Sequence, residues 1–286
     1  MSDQLHVFVF ENVAVRGALV QLGATWRHIR SLREYPLVVE SVLGESVVAA
    51  VLLASTLKTG TGSLLLQMQG DGALSLLVAE CSGDFGLRCT ARWNEGIRAE
   101  PLPALLGNGR CAITLGGSDG RPRYQGIVPL AGTTLAATIE SYMGRSEQLD
   151  TRIMLFADPQ AASGLLLQRV PERHDADADG WNRVIHLGST VTAAELHELP
   201  APTLLRRLFP EDDVRLFSGR ALRFACSCTP ARVRGMLQTL GAKEVEAIIA
   251  EQGQVEVTCE FCGQRYAFAP DECRRLFAAQ PDPDPS

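Results

Sequence analysis

The sequence predicts an α+β fold: a large N-terminal domain of helices and a mainly antiparallel sheet, a helical linker, and a small C-terminal domain. Three observations predict it. From residue 63 to residue 130 short apolar runs alternate with turn residues, and helical patterns stand on either side. A polar stretch at residues 171–180 interrupts this pattern. Finally, five of the eight cysteines crowd into the last part of the chain.

The predicted N-terminal domain covers residues 1–174 and opens with a strand at residues 5–10. Residues 37–57 are rich in Val, Leu and Ala, which predicts one or two largely buried helices, interrupted near Gly44. The turn Gly70-Asp71-Gly72 between two apolar runs is typical of a hairpin. The remaining strands are predicted at residues 64–69, 73–79, 85–93, 111–115, 124–130, 153–156 and 165–170, with a helix at residues 135–142.

The predicted linker covers residues 175–221 and contains three short helices, at residues 181–187, 193–199 and 203–209. Thr192 is a good N-cap for the second of them. The helices share an apolar side, which we expect to pack on the N-terminal domain. That side consists of Trp181, Val184, Leu187, Leu196, Leu199, Leu204, Leu205 and Leu208.

The predicted C-terminal domain covers residues 222–280. Thr229-Pro230 is an N-cap followed by proline in the first turn of a helix, which ends at Gly241. A second short helix around Val245 and two strands, at residues 254–258 and 265–268, follow. The expected apolar core is thin: Val233, Met236, Leu237, Ile248 and Ile249. We expect the proline- and aspartate-rich tail, residues 281–286, to be disordered.

Two cysteine pairs in this domain predict a metal site. Cys226-Ser-Cys228 and Cys259-Glu-Phe-Cys262 are separated by 30 residues, and Gly263 allows the chain to turn after the second pair. Two such pairs supply the four thiolates of a structural zinc site. We therefore predict one Zn²⁺ per chain, held in the reduced state by Cys226, Cys228, Cys259 and Cys262. A disulfide between thiols of this set is incompatible with holding the metal, so oxidation, metal loss and unfolding are expected to be coupled.

The other cysteines lack a partner at ligand spacing. Cys81, Cys89 and Cys111 lie in strand patterns, where a free cysteine is usually a small apolar residue, and Cys273 lies in a short helical run. The five histidines are dispersed, and the glycine-rich loop at residues 116–120 lacks the Gly-Lys-Ser/Thr of a phosphate loop. Ser146-Glu147-Gln148 is interpreted as a helix end. No catalytic residue is predicted, and the chain is not expected to be an enzyme.

Composition narrows the class of protein further. The chain of 286 residues carries a net charge of −6, and residues 226–286 hold six basic and nine acidic side chains, which disfavours nucleic-acid binding. The start of the chain lacks the basic segment of a secretory signal, and no apolar run reaches the length of a membrane span. We therefore expect a cytoplasmic protein that binds neither nucleic acid nor membranes, in which clustered cysteines indicate metal or redox chemistry.

At these cysteines the chain resembles the thirty-three-kilodalton heat-shock protein family, which are bacterial redox-regulated holdase chaperones. The resemblance covers nearly the whole chain, and the spacing of the cysteines is its most specific part. Asp150 and Ala269 depart from it, at positions where proline and aspartate are expected. The matching segments are Arg16-Gly17, Tyr35-Pro36, Leu43-Gly44-Glu45, Leu57-Lys58, Gln67-Met68-Gln69-Gly70, Tyr142, Ser146-Glu147-Gln148, Gly164-Leu-Leu-Leu-Gln168, Leu208-Phe209, Phe224-Ala-Cys226-Ser-Cys228, Leu240-Gly241, and Val257-Thr-Cys259-Glu-Phe-Cys262-Gly263 with Tyr266 and Phe268.

The resemblance implies a function. It implies an ATP-independent holdase that binds unfolded or partly folded clients, is inactive when reduced and zinc-bound, and forms a homodimer when activated. It also implies that the pairs 226–228 and 259–262 become disulfides on oxidation. Two other classes stay open: a thiol–disulfide oxidoreductase using Cys259 and Cys262, and a constitutive zinc-stabilised interaction module. A thioredoxin-type pair normally begins a helix after a buried strand, whereas Cys259 and Cys262 lie between two strand-like runs.

Overall fold

The computed structural model describes residues 3–57, 62–117, 122–171 and 179–277. The chain forms two compact units, Met1–Ala225 and Cys226–Ser286. Lys58, most of the glycine-rich loop at 116–120, most of the polar stretch at 171–180 and the tail at 281–286 lie outside the described residues. The α+β class is confirmed: helices accompany sheets whose strands pair mainly antiparallel.

The strands of the first unit are β1 (Gln4–Phe10), β2 (Val15–Leu22), β3 (Leu64–Gln69), β4 (Leu74–Cys81), β5 (Gly86–Trp93), β6 (Arg110–Gly116), β7 (Pro122–Val128), β8 (Thr151–Ala157), β9 (Ala162–Arg169), β10 (Val214–Leu216), β11 (Arg220–Ala221) and β12 (Arg223–Phe224). Its helices are α1 (Ala24–Ser31), α2 (Leu37–Ser55), α3 (Leu102–Leu106), α4 (Leu135–Ser146), α5 (Gly180–Gly188), α6 (Ala193–Glu198) and α7 (Ala201–Leu208). Each predicted strand and helix of this unit is present, with ends that differ by a few residues.

Within the described residues of the first unit, the strands form two sheets. The first has the order β10-β1-β2-β9-β8, with β11 also paired to β1, and its pairings are antiparallel. The second has the order β12-β5-β4-β3-β6-β7, in which β3 and β4 form the predicted hairpin. In the second sheet β12 pairs parallel to β5, through Arg223 and Phe224. Residues 222–225, which the sequence analysis assigned to the C-terminal domain, therefore pair with the first unit.

Helix α2 lies in the core between the sheets. It contacts strands of both, and its buried side chains run from Val39 to Leu53. By length and composition α2 is apolar enough to cross a membrane, but most of it is buried inside the protein. A helix that is apolar on all sides is typical either of a core or of a membrane span, and burial of this degree is that of a core helix.

The predicted interruption of this helix at Gly44 is wrong, because α2 runs unbroken through that residue. Gly44 is buried where the helix passes close to two other elements. A Cβ atom at this position would lie 2.6 Å from the Cβ of Ala157 and 3.0 Å from the Trp26 ring. The glycine therefore permits a close approach of α1 and β8 to the helix, rather than ending the helix.

The three linker helices pack on the first sheet, as their apolar side predicts. Val184, Leu196 and Leu204 are buried in one cluster with Phe8 and Leu19 of the sheet. The Phe10 and Phe209 rings meet edge to face, with their centroids 5.0 Å apart. Thr192 and Glu195 form a full capping box at the start of α6. Helices α5 to α7 are thus held by a continuous apolar core within the first unit.

The second unit contains α8 (Pro230–Leu240), α9 (Ala242–Gln252), β13 (Val255–Thr258), β14 (Arg265–Phe268) and α10 (Pro270–Arg275). Strands β13 and β14 form an antiparallel hairpin. Its buried core is small: Val233, Leu237, Val245, Ile249, Val255, Phe268 and Cys273. The prediction that Met236 belongs to this core is wrong, because its side chain is 48% exposed.

Several elements were not predicted from the sequence. These are β2, α1, α3 and the short strands β10 to β12. Strand β2 lies at the centre of its sheet, between β1 and β9, and its residues are buried with one exception. A strand that is buried on both faces loses the alternation of polar and apolar residues by which strands are recognised. The short strands depend on their pairing partners, which lie far away along the chain.

Candidate metal centre

The first cysteine pair lies immediately before helix α8. Thr229 caps this helix, since its hydroxyl accepts a hydrogen bond from the Arg232 amide at 3.2 Å. The Arg232 guanidinium donates back to the Ser227 hydroxyl at 2.5 Å and so fixes the residue between Cys226 and Cys228. The positive end of a helix favours thiolates near it. Both cysteines of this pair thus lie in the short segment that leads into the capped N-terminus of α8.

The second pair lies in the tight turn that joins β13 to β14. The Cys259 amide donates to the Gln264 carbonyl at 2.9 Å, and the Gly263 amide donates to the Cys259 carbonyl at 2.8 Å. Gly263 has a φ of 70°, in the left-handed region that favours glycine. This turn presents both the Cys259 and the Cys262 side chain to one side of the hairpin. It does not begin a helix, so it lacks the placement expected of a thioredoxin-type pair.

The four sulfur atoms of the two pairs form one cluster, in which all lie within 4.8 Å of one another. The Cys226 and Cys259 sulfurs are 3.7 Å apart, and those of Cys228 and Cys262 are 3.3 Å apart. Four thiolates placed about 2.3 Å from a tetrahedral Zn²⁺ are about 3.8 Å from one another. The donor set and its spacing therefore fit a zinc ion, and the four residues that the sequence predicts as ligands are brought together.

Tyr266 adds a polar contact to this cluster. Its hydroxyl donates a hydrogen bond to the Cys228 sulfur at 3.1 Å. Burial acts to raise the pKa of the Cys228 thiol, but hydrogen bonds from Tyr266 and from the neighbouring thiols outweigh it and bring this pKa down to about 7. Donation to the Cys228 sulfur raises the pKa of Tyr266 to about 12. Tyr266 is one of the residues that carry the family resemblance, and its position four residues after Cys262 is the signal in the sequence for this contact.

Burial opposes the ionisation of two thiols of the cluster. Burial raises the pKa of both the Cys226 and the Cys262 thiol, and neighbouring thiols raise that of Cys262 further. Thiolates in contact repel one another, so each ionisation makes the next one more difficult. A divalent cation reverses this balance, because it favours the deprotonated form of every ligand. The cluster is therefore well suited to a cation and poorly suited to four free thiols.

The remaining four cysteines are buried and do not belong to the cluster. Cys81, Cys89 and Cys111 belong to the core of the first unit, and Cys273 to that of the second. Burial raises the pKa of Cys81 and of Cys111 to about 12. Such thiols stay protonated and unreactive near neutral pH. Among the described residues, the cluster of Cys226 is the one group of His, Cys, Asp and Glu side chains with metal-ligand spacing.

Further segments of the family resemblance have defined places in the first unit. Ser146 ends helix α4, with Glu147 as its C-cap, which confirms the predicted helix end. Arg16 and Gln168, both in segments of the family resemblance, face each other on β2 and β9. The Arg16 guanidinium donates to the Gln168 side-chain oxygen from Nε at 2.9 Å and from Nη2 at 2.5 Å.

Comparison with known proteins agrees with this structure. The family model described as Hsp33 protein matches residues 3–269. The chain is 43% identical to the 33 kDa chaperonin of Methylobacillus flagellatus, over 98% of this chain and 96% of that protein, and 45% identical to the 33 kDa chaperonin of Chromobacterium violaceum, over 96% and 94%. The crystal structure of the 33 kDa chaperonin from Thermotoga maritima shares the fold, with a TM-score of 0.80 at 20% identity over 96% of this chain and 97% of that one. The chain therefore belongs to the Hsp33 protein family, whose curated members named here are chaperonins.

Proposed function

We propose that this chaperone is an ATP-independent holdase controlled by the redox state of its cysteine cluster. In the reduced state Cys226, Cys228, Cys259 and Cys262 hold one Zn²⁺ and the protein is inactive. Oxidation to disulfides releases the metal and activates the binding of unfolded clients. The single observation that supports this most strongly is the close approach of four sulfurs, within 4.8 Å of one another, in a chain of this family.

The redox step balances with peroxide as the oxidant. Each pair of thiolates loses two electrons and gains one S–S bond, while hydrogen peroxide takes up two electrons and two protons and leaves as two molecules of water. Disulfide sulfurs are no longer thiolate ligands, so the metal is lost. We propose the pairs 226–228 and 259–262, as the family resemblance implies. The Cys226 sulfur lies 3.7 Å from that of Cys259 and the Cys228 sulfur lies 3.3 Å from that of Cys262, so peptide mapping of the oxidised protein is needed to distinguish these pairings from the proposed ones.

Metal loss is coupled to unfolding by the small size of the second unit. Its core, over residues 226–277, holds seven buried residues, one of which is a cysteine. Zinc contributes about 10 kcal/mol or more to the folding of such small domains, which is comparable to the whole stability of an ordinary domain. We propose that the second unit unfolds when the metal leaves, and that this loosens the linker helices. Their release uncovers apolar surface on α5 to α7 and on the first sheet, which is a surface suited to unfolded clients.

We also propose where the protein acts, what it does not bind and in which oligomeric state it is active. Clustered thiols that cycle between metal-bound and disulfide states belong in a reducing compartment that meets oxidative stress, so we place the protein in the cytoplasm. A net charge of −6 argues against nucleic acid as a partner. The activated form is proposed to be a homodimer, and it acts without enzymatic turnover.

Aggregation suppression tests this function. One preparation is assayed on a chemically unfolded client, first reduced with zinc and then after peroxide treatment. We expect suppression after oxidation, and re-reduction with zinc should reverse it. The variant Cys226→Ser should lose peroxide-dependent zinc release, whereas the matched control Cys89→Ala should keep it. Equal suppression in both redox states would support a constitutive module instead, and sustained reduction of insulin would support the oxidoreductase.

A further inference from the structure

The first unit contains a cleft of about 340 Å³ that the proposed redox function does not use. It lies between the C-terminal end of α2, the strands β3, β6 and β7, and helix α4. Its walls are largely apolar and are formed by Leu53, Leu57, Leu64, Ile113, Leu115 and Met143. A concave apolar site of this size with a few polar groups is the usual form of a small-molecule site.

Arg16 is the cationic group of this cleft. Its guanidinium has five N–H donors, and three of them donate: Nε and Nη2 to the Gln168 side chain, and Nη1 to the Thr56 carbonyl at 3.5 Å. Both acceptors, the Gln168 side-chain oxygen and the Thr56 carbonyl, are neutral oxygens. Within the described parts of the chain, no carboxylate forms an ion pair with Arg16, and two of its donors keep no acceptor.

A chain of hydrogen bonds through Gln168 fixes the position of the Arg16 side chain. Gln168 is fully buried, and its amide donates to the Thr151 hydroxyl at 2.8 Å, which in turn donates to the Leu149 carbonyl at 3.0 Å. This chain of hydrogen bonds sets the orientation of the Gln168 oxygen and hence of the guanidinium. Burial also lowers the pKa of Arg16, because it disfavours the charged guanidinium. A partly buried guanidinium without a counter-ion strongly favours the binding of an anion.

The one acidic side chain among the described lining residues is Glu147, and it differs from Arg16 in two ways. Its side chain is exposed to solvent, so its charge is screened by water. It already accepts hydrogen bonds from the Tyr142 hydroxyl at 2.8 Å and the Tyr124 hydroxyl at 3.3 Å. The uncompensated charge of the cleft is therefore positive, and it lies beside apolar walls.

We propose that this cleft binds a carboxylate that carries an apolar tail, with the carboxylate on the Arg16 guanidinium and the tail along the leucine-rich walls. A planar guanidinium with two free donors matches a carboxylate, and a charge-assisted pair in an apolar site is stronger than a neutral hydrogen bond. This chemistry has two sources, a free aliphatic acid and the C-terminal residue of an apolar peptide. Neither involves the cysteine cluster, so the site is independent of the proposed redox function.

Calorimetric titration of the reduced, zinc-loaded full chain tests the site. The probes are octanoate, octylamine, and acetyl-trileucine with a free or an amidated C-terminus. Octanoate should bind, and Arg16→Gln should weaken that binding by about tenfold or more, because a charge-assisted bond is lost. Glu147→Gln should leave octanoate binding equal or stronger. Binding of the free-acid peptide but not of its amide would assign the site to chain termini; binding of octanoate alone would assign it to free acids.

A second pair of variants covers the case in which Arg16→Gln does not fold. Leu115→Trp fills the cleft and leaves Arg16 in place, whereas Leu76→Trp adds the same bulk to a partly exposed position on β4 outside the cleft. Octanoate binding should be lost in the first variant and retained in the second. Absence of octanoate binding to the unaltered chain, equal binding to Leu115→Trp, or tighter binding of octylamine that depends on Glu147 would overturn the proposal.

Discussion

The Tyr266 hydroxyl lies 3.1 Å from the Cys228 sulfur and donates a hydrogen bond to it. This contact joins strand β14 to the loop before α8 within the second unit. Groups that donate to a metal-bound sulfur orient it and tune its charge, and their loss typically weakens metal binding by about 10–100-fold. Tyr266 is therefore a positioning residue for the proposed zinc ligand, although it is not itself one of the four.

Replacing this tyrosine should weaken zinc binding and change its pH dependence. We expect Tyr266→Phe, which keeps the ring, to reduce zinc affinity by about tenfold. Burial acts to raise the pKa of Cys228, and the Tyr266 hydrogen bond is one of several that bring it down to about 7, so this bond helps to keep the thiolate present as the pH falls toward 7. Stability linked to this thiolate is present above the ordinary thiol pKa and is lost as the pH falls through the lowered one.

The measurement is a competition titration against a chromophoric zinc chelator between about pH 6 and 9, a window that spans the lowered and the ordinary thiol pKa. The pH at which half of the zinc is lost should move upward in Tyr266→Phe. Tyr124→Phe, which removes a hydroxyl from the first unit, is the matched control and should leave that pH unchanged. An unchanged zinc affinity in Tyr266→Phe would show that the hydrogen bond has no part in holding the metal.

Zinc stoichiometry should depend on the four clustered cysteines. Elemental analysis of the reduced protein, purified without oxygen from zinc-replete cells, should give about one zinc per chain. The double variant Cys226→Ser with Cys259→Ser should contain none, because two thiolates do not form a closed site. Zinc retained by that variant, or absent from the reduced unaltered protein, would refute the site.

The four buried cysteines should be dispensable for the switch. Each of Cys81, Cys89, Cys111 and Cys273 is replaced singly by alanine, which avoids placing an unpaired hydroxyl in the core. We expect a loss of roughly 1–2 kcal/mol of stability for each, from the small cavity that is left. Peroxide-dependent zinc release, followed by a chromophoric chelator, should continue at the original rate. A folded variant without zinc release would show that its thiol takes part.

The linker should be released by removing one side chain of the first sheet. The Gln21 amide donates to the Leu196 carbonyl at 2.6 Å and to the Leu199 carbonyl at 3.0 Å, which ties the end of α6 to β2. Gln21→Met keeps the length of the side chain but leaves both carbonyls without this donor, at a cost of about 1–3 kcal/mol.

Hydrogen exchange of the reduced protein is the measurement. Amides of α6 and α7 should exchange faster in Gln21→Met, and the reduced variant should suppress aggregation in part. Gln69→Met, at an exposed position on β3, is the control and should exchange like the original protein. Faster exchange of the linker without any gain of client binding would contradict the proposal that linker release uncovers the client surface.

The sequence by itself predicted which four cysteines come together, because each pair is positioned by residues next to it in the chain. A Cys-x-Cys before a capped helix and a Cys-x-x-Cys-Gly turn each fix two sulfurs through neighbouring backbone bonds. The hairpin at residues 70–72 and the capping box of α6 were predictable for the same reason. In each case the residues that determine the structure lie within a few positions of one another.

Only the tertiary structure decided how the helices, strands and core side chains pack, because this packing depends on residues that are distant along the chain. Gly44 looks like a helix break in sequence, but packing against Ala157 and Trp26 makes it a close-contact position in an unbroken helix. Strand β2 is buried on both faces and so has no alternating pattern, and Met236 is exposed because the small core closes without it. The pairing of Arg16 with Gln168 joins residues 152 positions apart. Such contacts form only when the sheets close around α2, and no local pattern records them.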